Sequence, residues 1–478
     1  MSNNESIGAI IENGPEDWQI IQQNNGSAEL DLSGRHVSAM DGEVEVRLVS
    51  QDTGVPPTAD LDWHSVITNE DTWNASLDVP AGGLYRLETR YNPTENKTEE
   101  WSARGDMRHF LGVGDLWVIA GQSNSAGFGR GPYNDPPELG VHLFRSNEEW
   151  ALAAHPINDS TDARHPAARE SFNPYHSPYL HFGRILKQSL GYPIGLVPTA
   201  VAASPLKLWN PTESNEAILA ENMIHCIKQV GGRVRGVLWY QGESDCRVEE
   251  ETETYFERFR DALEAWREAI GDPELPIITV QLNRVYDPMP NETEERWSKV
   301  REAQRRAARE LSNIAIVPSF DSPLCDRIHN SPAGNIRIGE RMARAALGMV
   351  YGKPVDYLPP DVVEATSERD GKEVHLQFDP VRSRFESADL SAVPFKVLDE
   401  EGEVQIERVA YLQGGRAALI LERQLKGAAR AHGAYGTDPA PVPMDFERLM
   451  PMLGFYGVEV VAHQMPSRGD GLPACQPS

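Results

Sequence analysis

Three short polar segments each follow an apolar run, and their side chains are of the types that acyl transfer requires. Ser123 comes directly after the run LWVIAG, Gln241 opens the segment QGESD after VLWY, and Asp326 and His329 stand three residues apart after IAIVPSF. A hydroxyl, an imidazole and a carboxylate can act together as nucleophile, general base and orienting group. The combination predicts a serine hydrolase whose catalytic residues are Ser123, Asp326 and His329.

The same motifs allow other interpretations. Ser123 alone could cap a helix, and its G-x-S-x-S spacing differs from the G-x-S-x-G nucleophile elbow. The glycines that follow lie too far beyond the run for a dinucleotide-binding turn. Cys325, Asp326 and His329 could bind a metal, but no second pair of ligands accompanies them at a suitable spacing. The sequence therefore predicts neither a metal nor an organic cofactor.

The pattern of apolar and amphipathic stretches in the middle of the chain predicts a fold that would bring these motifs together. Apolar runs alternate with amphipathic stretches, which is typical of a parallel sheet covered on both faces. We expect a flavodoxin-like, doubly wound α/β domain, in which the carboxyl ends of the strands share one edge. The runs are LWVIAG, IGLVPTAVA, VRGVLWYQG, PIITVQLN and IAIVPSF, and the amphipathic stretches are SPYLHFGRILKQSL, ETYFERFRDALEAWREAI and RWSKVREAQRRAAREL.

The composition changes twice along the chain and predicts three domains. Residues 1–107 alternate apolar and polar residues between turn signals, as in SAELDL and EVEVRLVS, and predict a β-sandwich-like domain. Residues 108–352 carry the α/β pattern. Residues 353–478, which include EVHLQF and GVEVVAH, predict a C-terminal β-rich domain.

The net charge of the chain disfavours two classes of binding partner. The chain has 72 acidic and 45 basic residues, a formal charge of −27, and only 9 of the basic residues are Lys. Binding to nucleic acid or to an anionic membrane surface needs clustered cations, so both are disfavoured. The acidic excess fits either salt adaptation or a genome that favours Arg.

The first residues and the cysteines bear on location. The start MSNNESIGAIIENGPEDW has no basic region followed by an apolar core, so it predicts no signal peptide, although a trimmed secreted form would look the same. No run approaches the roughly 20 apolar residues of a membrane helix. The four cysteines, Cys226, Cys246, Cys325 and Cys475, do not form a disulfide scaffold and fit a reducing compartment. We expect a cytoplasmic protein.

Three blocks resemble one family. VGDLWVIAGQSN, LWYQGESD and DRIHNS resemble the first, third and last blocks of the sialate O-acetylesterase-like and acetylxylan esterase-like branch of the SGNH (GDSL-like) hydrolases, over roughly residues 108–352. The resemblance implies a flavodoxin-like fold and O-deacetylation of carbohydrates. It carries the nucleophile onto Ser123 and the acid–base pair onto Asp326 and His329.

The resemblance also implies an oxyanion hole. It puts the Ser123 backbone N–H first among the donors. The family's second block reads Gly-Gly-Thr/Ser-Pro, whereas this chain has Ala202 and Ala203 before Ser-Pro; the N–H of Ala202 can still serve if φ is negative there. Gln241 is the expected third donor, with Ser244 as the alternate.

Four further residues are expected to contact the substrate: Gln122, Asn124, Glu243 and Trp209. Glu243 could instead be a base or a carboxylate that positions a neighbour. Trp209 could stack on a sugar face or belong to the core.

The predicted function is a carbohydrate O-acetylesterase that resembles sialate 9-O-acetylesterases. The alternatives are an acetylxylan esterase, another short-chain carboxylesterase, a lipid or thioester hydrolase, and a non-catalytic carbohydrate-binding protein on the same fold. The partner is an acetylated carbohydrate, and the sequence does not predict the oligomeric state.

Overall fold

The computed structural model describes residues 8–37, 41–94, 103–170, 175–213, 217–286, 290–368 and 370–462. The chain divides into two compact units, residues 1–358 and residues 359–478. The first unit contains all three polar motifs. Its strands are β1 Gly8–Asn13, β2 Ile20–Gln22, β3 Ser27–Val37, β4 Gly42–Ser50, β5 His64–Ser65, β6 Ile67–Asn69, β7 Thr72–Pro80, β8 Gly82–Pro93, β9 Ala103–Gly121, β10 Val141–Phe144, β11 Trp150–Leu152, β12 Ile194–Pro198, β13 Gly236–Tyr240, β14 Ile277–Val280 and β15 Ile314–Val317.

The central sheet of this unit has the strand order β11-β10-β12-β9-β13-β14-β15. Strands β10, β12, β9, β13, β14 and β15 are parallel, and β11 adds an antiparallel edge. The five apolar runs form β9, β12, β13, β14 and β15. In the sheet these strands lie in the order β12-β9-β13-β14-β15, so the first two are exchanged relative to their order along the chain. All residues of β12 to β15 are buried, as the continuous apolar runs predict.

Helices cover this sheet on both faces. α2 (Tyr179–Leu190) and α7 (Pro332–Ala345) pack together on one face, while α3 (Ile218–Gln229), α5 (Tyr255–Ile270) and α6 (Asn291–Glu310) pack on the other. Apolar residues of α5 recur at helical spacing and are buried, among them Phe256, Phe259, Leu263 and Trp266. The helices are α1 Ser123–Ala126, α2 Tyr179–Leu190, α3 Ile218–Gln229, α4 Glu249–Glu253, α5 Tyr255–Ile270, α6 Asn291–Glu310 and α7 Pro332–Ala345.

The N-terminal β region and the α/β region form one unit, because they share a strand. β9 is 19 residues long. Its first half pairs with β8, and its second half, from Asp115 onward, pairs with β12 and β13. The boundary expected at residue 107 therefore lies inside a continuous strand. β1, β3, β7 and β6 form a separate four-stranded sheet in this region.

The second unit is built of strands. An eight-stranded sheet has the order β20-β19-β23-β26-β16-β17-β22-β21, and a three-stranded sheet has the order β18-β24-β25. Their bounds are β16 Asp361–Ser367, β17 Glu373–Asp379, β18 Phe385–Glu386, β19 Phe395–Asp399, β20 Gly402–Val404, β21 Ile406–Leu412, β22 Arg416–Leu421, β23 Ala429–Gly433, β24 Met444–Asp445, β25 Met450–Pro451 and β26 Phe455–Ala462.

Within the described ranges, no helix combines the length and the apolar character that crossing a bilayer requires. Cys226, Cys246 and Cys325 are free thiols, and Cys475 lies outside the described residues.

Candidate active site

Ser123 lies at the carboxyl end of β9, in the tight turn that leads into α1. Gly121 has φ +119°, and a Cβ there would lie 2.2 Å from the carbonyl oxygen of Tyr240, so this turn needs glycine. Ser123 is the first residue of α1, which places its N–H among those without an intrahelical acceptor. Its residue surface is 8% exposed. The serine therefore lies largely buried at the carboxyl edge of the sheet, with a backbone donor beside it.

Asp326 and His329 form a direct pair in the loop between β15 and α7. Asp326 Oδ2 lies 2.8 Å from His329 Nδ1, while Oδ1 accepts the backbone N–H groups of Ile328 (2.9 Å) and His329 (2.8 Å). Burial acts to raise the pKa of Asp326, but these three hydrogen bonds outweigh it and hold the pKa below its ordinary value. The carboxylate is thus ionised and fixes the ring so that Nε2 faces away from it.

Asn124 connects the serine turn to the histidine loop. Its Nδ2 donates to the carbonyl oxygen of Ile328 (3.3 Å), and its Oδ1 accepts the N–H of Asn330 (3.0 Å). These are the two residues on either side of His329. The residue after Ser123 thereby holds both backbone neighbours of His329, and the two catalytic candidates stand on adjoining segments.

Glu243 supports this connection from β13. Its Oε1 accepts a hydrogen bond from Asn124 Nδ2 at 2.8 Å, and its Oε2 is buried and makes no hydrogen bond to the described residues. Burial and, to a lesser extent, the charge of Asp245 raise the pKa of Glu243 to about 7. Hydrogen bonds from Asn124 and the backbone act on this pKa in the opposite direction. Glu243 and Asn124 were predicted to contact substrate; the contacts observed here are with each other and with the histidine loop.

Phe128 and Cys325 complete the surroundings of the imidazole. The rings of Phe128 and His329 lie 5.0 Å apart between centroids. Cys325 Sγ accepts the N–H of Arg130 at 3.3 Å and lies 3.6 Å from the carbonyl oxygen of Phe128. Cys325 therefore joins the loop to the segment after α1 and does not converge with Asp326 and His329 on a metal position.

The geometry does not support Gln241 as an oxyanion donor. Its side chain is fully buried, and Nε2 donates to Asp245 Oδ2 (2.6 Å) and to the carbonyl oxygen of Ser204 (3.1 Å). Its Oε1 accepts from the Tyr255 hydroxyl at 2.9 Å. Gln241 follows an internal strand, so buried protein groups surround its amide and form all the hydrogen bonds described above. These bonds connect the end of β13 to the loop after β12.

Ala202, the second predicted oxyanion donor, is engaged by a residue that the sequence analysis missed. Its N–H donates to Glu170 Oε1 at 2.9 Å, while Glu170 Oε2 is buried and unpaired among the described residues. Burial raises the pKa of Glu170, and the Ala202 N–H partly opposes this. The Ala202 N–H can serve as a donor only if φ is not positive there, and the structure meets this condition. Ala203, by contrast, has φ +54°. No sequence signal linked Glu170 to this turn, because it lies in an irregular segment 32 residues away.

Trp209 is a core residue and not a sugar platform. It is 0% exposed, its ring packs edge-on to Trp239, and its Nε1 donates to Ser204 Oγ at 3.0 Å. Its indole is amphipathic, and the buried Ser204 hydroxyl satisfies its polar atom, which allows complete burial.

Gln122 and Ser244 are likewise engaged by the protein. Gln122 Oε1 accepts the N–H of Ser244 at 3.2 Å, and both residues are buried. Gln122 was predicted to contact substrate, and Ser244 was the alternate oxyanion donor. In this structure they hold the turn after β9 against the turn after β13.

A cavity of about 780 Å³ lies away from these residues, at the amino ends of the strands. Its lining includes Gln22, Arg233, Arg235 and Glu274. None of the predicted catalytic residues lines it, so its size does not make it the reaction site.

Known proteins resemble this chain over the same region. Residues 113–348 match the family model described as carbohydrate esterase, sialic acid-specific acetylesterase. A protein of Arabidopsis thaliana named a probable carbohydrate esterase is 27% identical over 255 residues, which cover 48% of this chain and 90% of that protein. Human sialate O-acetylesterase is 25% identical over 341 residues, 60% of this chain and 62% of that protein. This chain therefore spans less than two thirds of the human protein.

Among solved structures, a carbohydrate acetylesterase from Xanthomonas citri superposes with a TM-score of 0.64 at 21% identity. The superposition covers 92% of this chain and 97% of that one. At this identity the likeness concerns the fold alone: an α/β region accompanied by β-rich regions.

Proposed function

We propose that the chain removes O-acetyl groups from sugars through an acyl-enzyme on Ser123, because residues 113–348 match the family model described as carbohydrate esterase, sialic acid-specific acetylesterase. The observation that carries the proposal is the joining of the serine turn to the histidine loop through Asn124. The strand order of the central sheet supports the flavodoxin-like, doubly wound arrangement of such hydrolases.

The reaction proceeds in two steps. His329 Nε2 takes the proton of the Ser123 hydroxyl as the oxygen attacks the acetyl carbonyl, and the proton then passes to the departing sugar oxygen. In the second step His329 takes a proton from the water that attacks the acetyl carbonyl, the bond between the acetyl group and the Ser123 oxygen breaks, and the imidazolium returns the proton to that oxygen as acetate leaves. Asp326 holds the imidazole by its Nδ1 and stabilises the imidazolium that forms in each step.

The Ser123 N–H is the first donor to the oxyanion. The second is the Ala202 N–H, which becomes available when Glu170 moves off it or is displaced by substrate. Backbone N–H donors aimed at the developing oxyanion stabilise the transition state of acyl transfer. Gln241 plays a structural part, because its amide is already fully engaged.

The substrate class is an O-acetylated sugar. Acetylated sialic acid is the first candidate, since the matching family is described as sialic acid-specific. Acetylated xylan fragments are the second, because the sequence motifs resemble both branches of the superfamily. A short acyl group is expected in either case.

Acetate release from a panel of acetylated sugars tests this function. The panel contains O-acetylated sialic acid, acetylated xylo-oligosaccharides and p-nitrophenyl esters of increasing chain length, each run beside Ser123→Ala. Acetate release that needs Ser123 and falls steeply with acyl length supports the proposal. If the folded protein releases acetate from no acetylated sugar, the substrate class is wrong; if it prefers long acyl chains, it is a lipid esterase.

A further inference from the structure

Asp135, His155 and His176 come from three separate segments and meet in the interior of the first unit. Asp135 lies in the loop before β10, His155 follows β11, and His176 precedes α2. Their side chains are 1%, 1% and 0% exposed. None of them takes part in the proposed reaction, so their convergence needs a separate explanation.

The ligand atoms of the three side chains face one another. Asp135 Oδ2 lies 3.0 Å from His155 Nε2 and 3.3 Å from His176 Nε2, and all three atoms are within 4.8 Å of one another. A tetrahedral ion with bonds of about 2.0–2.1 Å keeps neighbouring ligand atoms roughly 3.3–3.4 Å apart. The two distances from the carboxylate to the imidazoles are close to those between neighbouring ligands of one small divalent ion.

Hydrogen bonds within the protein do not satisfy this cluster. His176 Nε2 faces Asp135 Oδ2 at 3.3 Å as an ion-pair contact without good hydrogen-bond geometry, and the buried His176 Nδ1 and His155 Nδ1 make no hydrogen bond to any residue that the structure describes. The two imidazole rings stack at 4.1 Å. Burying an unpaired polar nitrogen is unfavourable, because the hydrogen bond that it makes to water in the unfolded chain is lost. An ion bound between the Nε2 atoms and the carboxylate would give His176 Nε2 a direct ligand bond in place of this poorly aligned contact.

Arg184 and Tyr133 surround the cluster as the outer groups of a metal site would. Arg184 Nη2 donates to Asp135 Oδ1 at 2.7 Å and to the carbonyl oxygen of Pro136 at 2.6 Å, which leaves Oδ2 facing the imidazoles. Such outer hydrogen bonds orient the ligating carboxylates of metal sites. Tyr133 is 46% exposed and packs edge-on against both rings, so its side chain covers part of the cluster on the solvent side.

We propose that Asp135, His155 and His176 form a binding site for one divalent transition-metal ion of the zinc class. Two imidazoles and a carboxylate are a donor set that suits Zn²⁺ and neighbouring ions over Mg²⁺ or Ca²⁺. The site is independent of the esterase assignment, and no step of the reaction passes through it.

The place of the site in the fold gives it a structural role. His176 pairs with Gly129 through both backbone hydrogen bonds, 3.1 and 3.2 Å, and Gly129 follows the turn that carries Ser123. Asn335 Nδ2 donates to the His176 carbonyl oxygen at 2.7 Å. A bound ion would fix His176 and, through it, the segment behind the nucleophile.

Metal titration of the chelator-treated, folded protein tests the site. We expect one equivalent of Zn²⁺ by calorimetry, one equivalent of Co²⁺ with the absorption bands of a tetrahedral site, and a higher melting temperature with either ion. His176→Ala and Asp135→Asn should each weaken binding at least about tenfold. Arg184→Gln, which keeps all three ligands, should weaken it about 10- to 100-fold.

The control is His375→Ala, which removes a histidine that lies near two carboxylates, Glu368 and Glu373, in the second unit. It should leave the stoichiometry and affinity unchanged. Absence of binding to the folded wild type, or equal binding by wild type and by folded His176→Ala and Arg184→Gln, would overturn the proposal. Because Arg184→Gln leaves every ligand in place, it keeps the test valid if the ligand variants fail to fold.

Discussion

Asn124 accepts the backbone N–H of Asn330 at 3.0 Å, so the residue after the candidate nucleophile holds the residue after the candidate base. The same side chain donates to the carbonyl oxygen of Ile328. The distance between nucleophile and base therefore depends on one asparagine as well as on the two loops themselves. Small displacements of reacting groups can cost about 10²-fold in rate.

Replacing Asn124 should consequently lower turnover more than substrate affinity. For Asn124→Ala we expect kcat to fall by about 10- to 100-fold with KM little changed, because the loss is of alignment. Steady-state kinetics on p-nitrophenyl acetate checks this. Asn147→Ala, at an exposed turn where Asn147 bonds to Glu149, is the matched control. A raised KM with normal kcat would mean that Asn124 binds substrate, as the sequence analysis expected.

Glu243 should make stability depend on pH. Its pKa is about 7 in the folded protein, above the ordinary value of 4.5, so the unfolded chain loses this proton first as pH rises. The free energy of unfolding should therefore fall between about pH 4.5 and pH 7, by on the order of 3 kcal/mol from this group. In Glu243→Gln this contribution disappears.

Urea unfolding at several pH values measures the difference between wild type and variant. Glu249→Gln, at an exposed position on α4, controls for the loss of a carboxylate. Parallel pH profiles for wild type and Glu243→Gln would show that Glu243 titrates normally and is better solvated than its burial indicates.

Glu170 should restrain the oxyanion hole. Its carboxylate occupies the Ala202 N–H and would repel a developing negative charge there. We expect Glu170→Ala to raise kcat on p-nitrophenyl acetate several-fold at neutral pH. Glu274→Ala removes an exposed carboxylate that accepts from Asn313 at the amino end of the sheet, and it should have no effect. A large loss of activity in Glu170→Ala would instead make Glu170 part of the substrate or base machinery.

The acidic excess should make the protein more stable in salt. At −27 the folded chain repels itself, and the Debye length shrinks from about 10 Å at 0.1 M to about 3 Å at 1 M. Surface ion pairs lost in salt are worth only about 0–1 kcal/mol each. We expect the melting temperature to rise between low salt and about 1 M NaCl, with a sucrose series as the control. A flat or falling melting temperature would favour genome composition over salt adaptation.

Some of this architecture could be predicted from the sequence, because long apolar runs determine buried parallel strands. β9, β12, β13, β14 and β15 coincide with the five runs, and their order places Ser123 and Gln241 at one edge. β10, four residues long, and the antiparallel β11 were too short to give a pattern. The expected boundary at residue 107 failed because β9 serves two sheet regions without a linker.

The site was harder to predict where side chains have more than one possible partner. The acid–base pair follows from three-residue spacing in a loop, whereas the partners of Gln241 and Trp209 depend on which residues surround them after folding. Glu170 and the cluster of Asp135, His155 and His176 lie in irregular segments far apart in sequence. Residue types alone could not indicate that these segments meet.

The most direct test of the central claim is to detect the acetyl-enzyme. The protein is mixed with an acetylated substrate and quenched in acid within the first turnovers, and its peptides are analysed by mass spectrometry. We expect the added mass of one acetyl group on the peptide that contains Ser123, and its absence in Ser123→Ala. Normal turnover by Ser123→Ala, or acetylation at another residue that turns over at the catalytic rate, would contradict it.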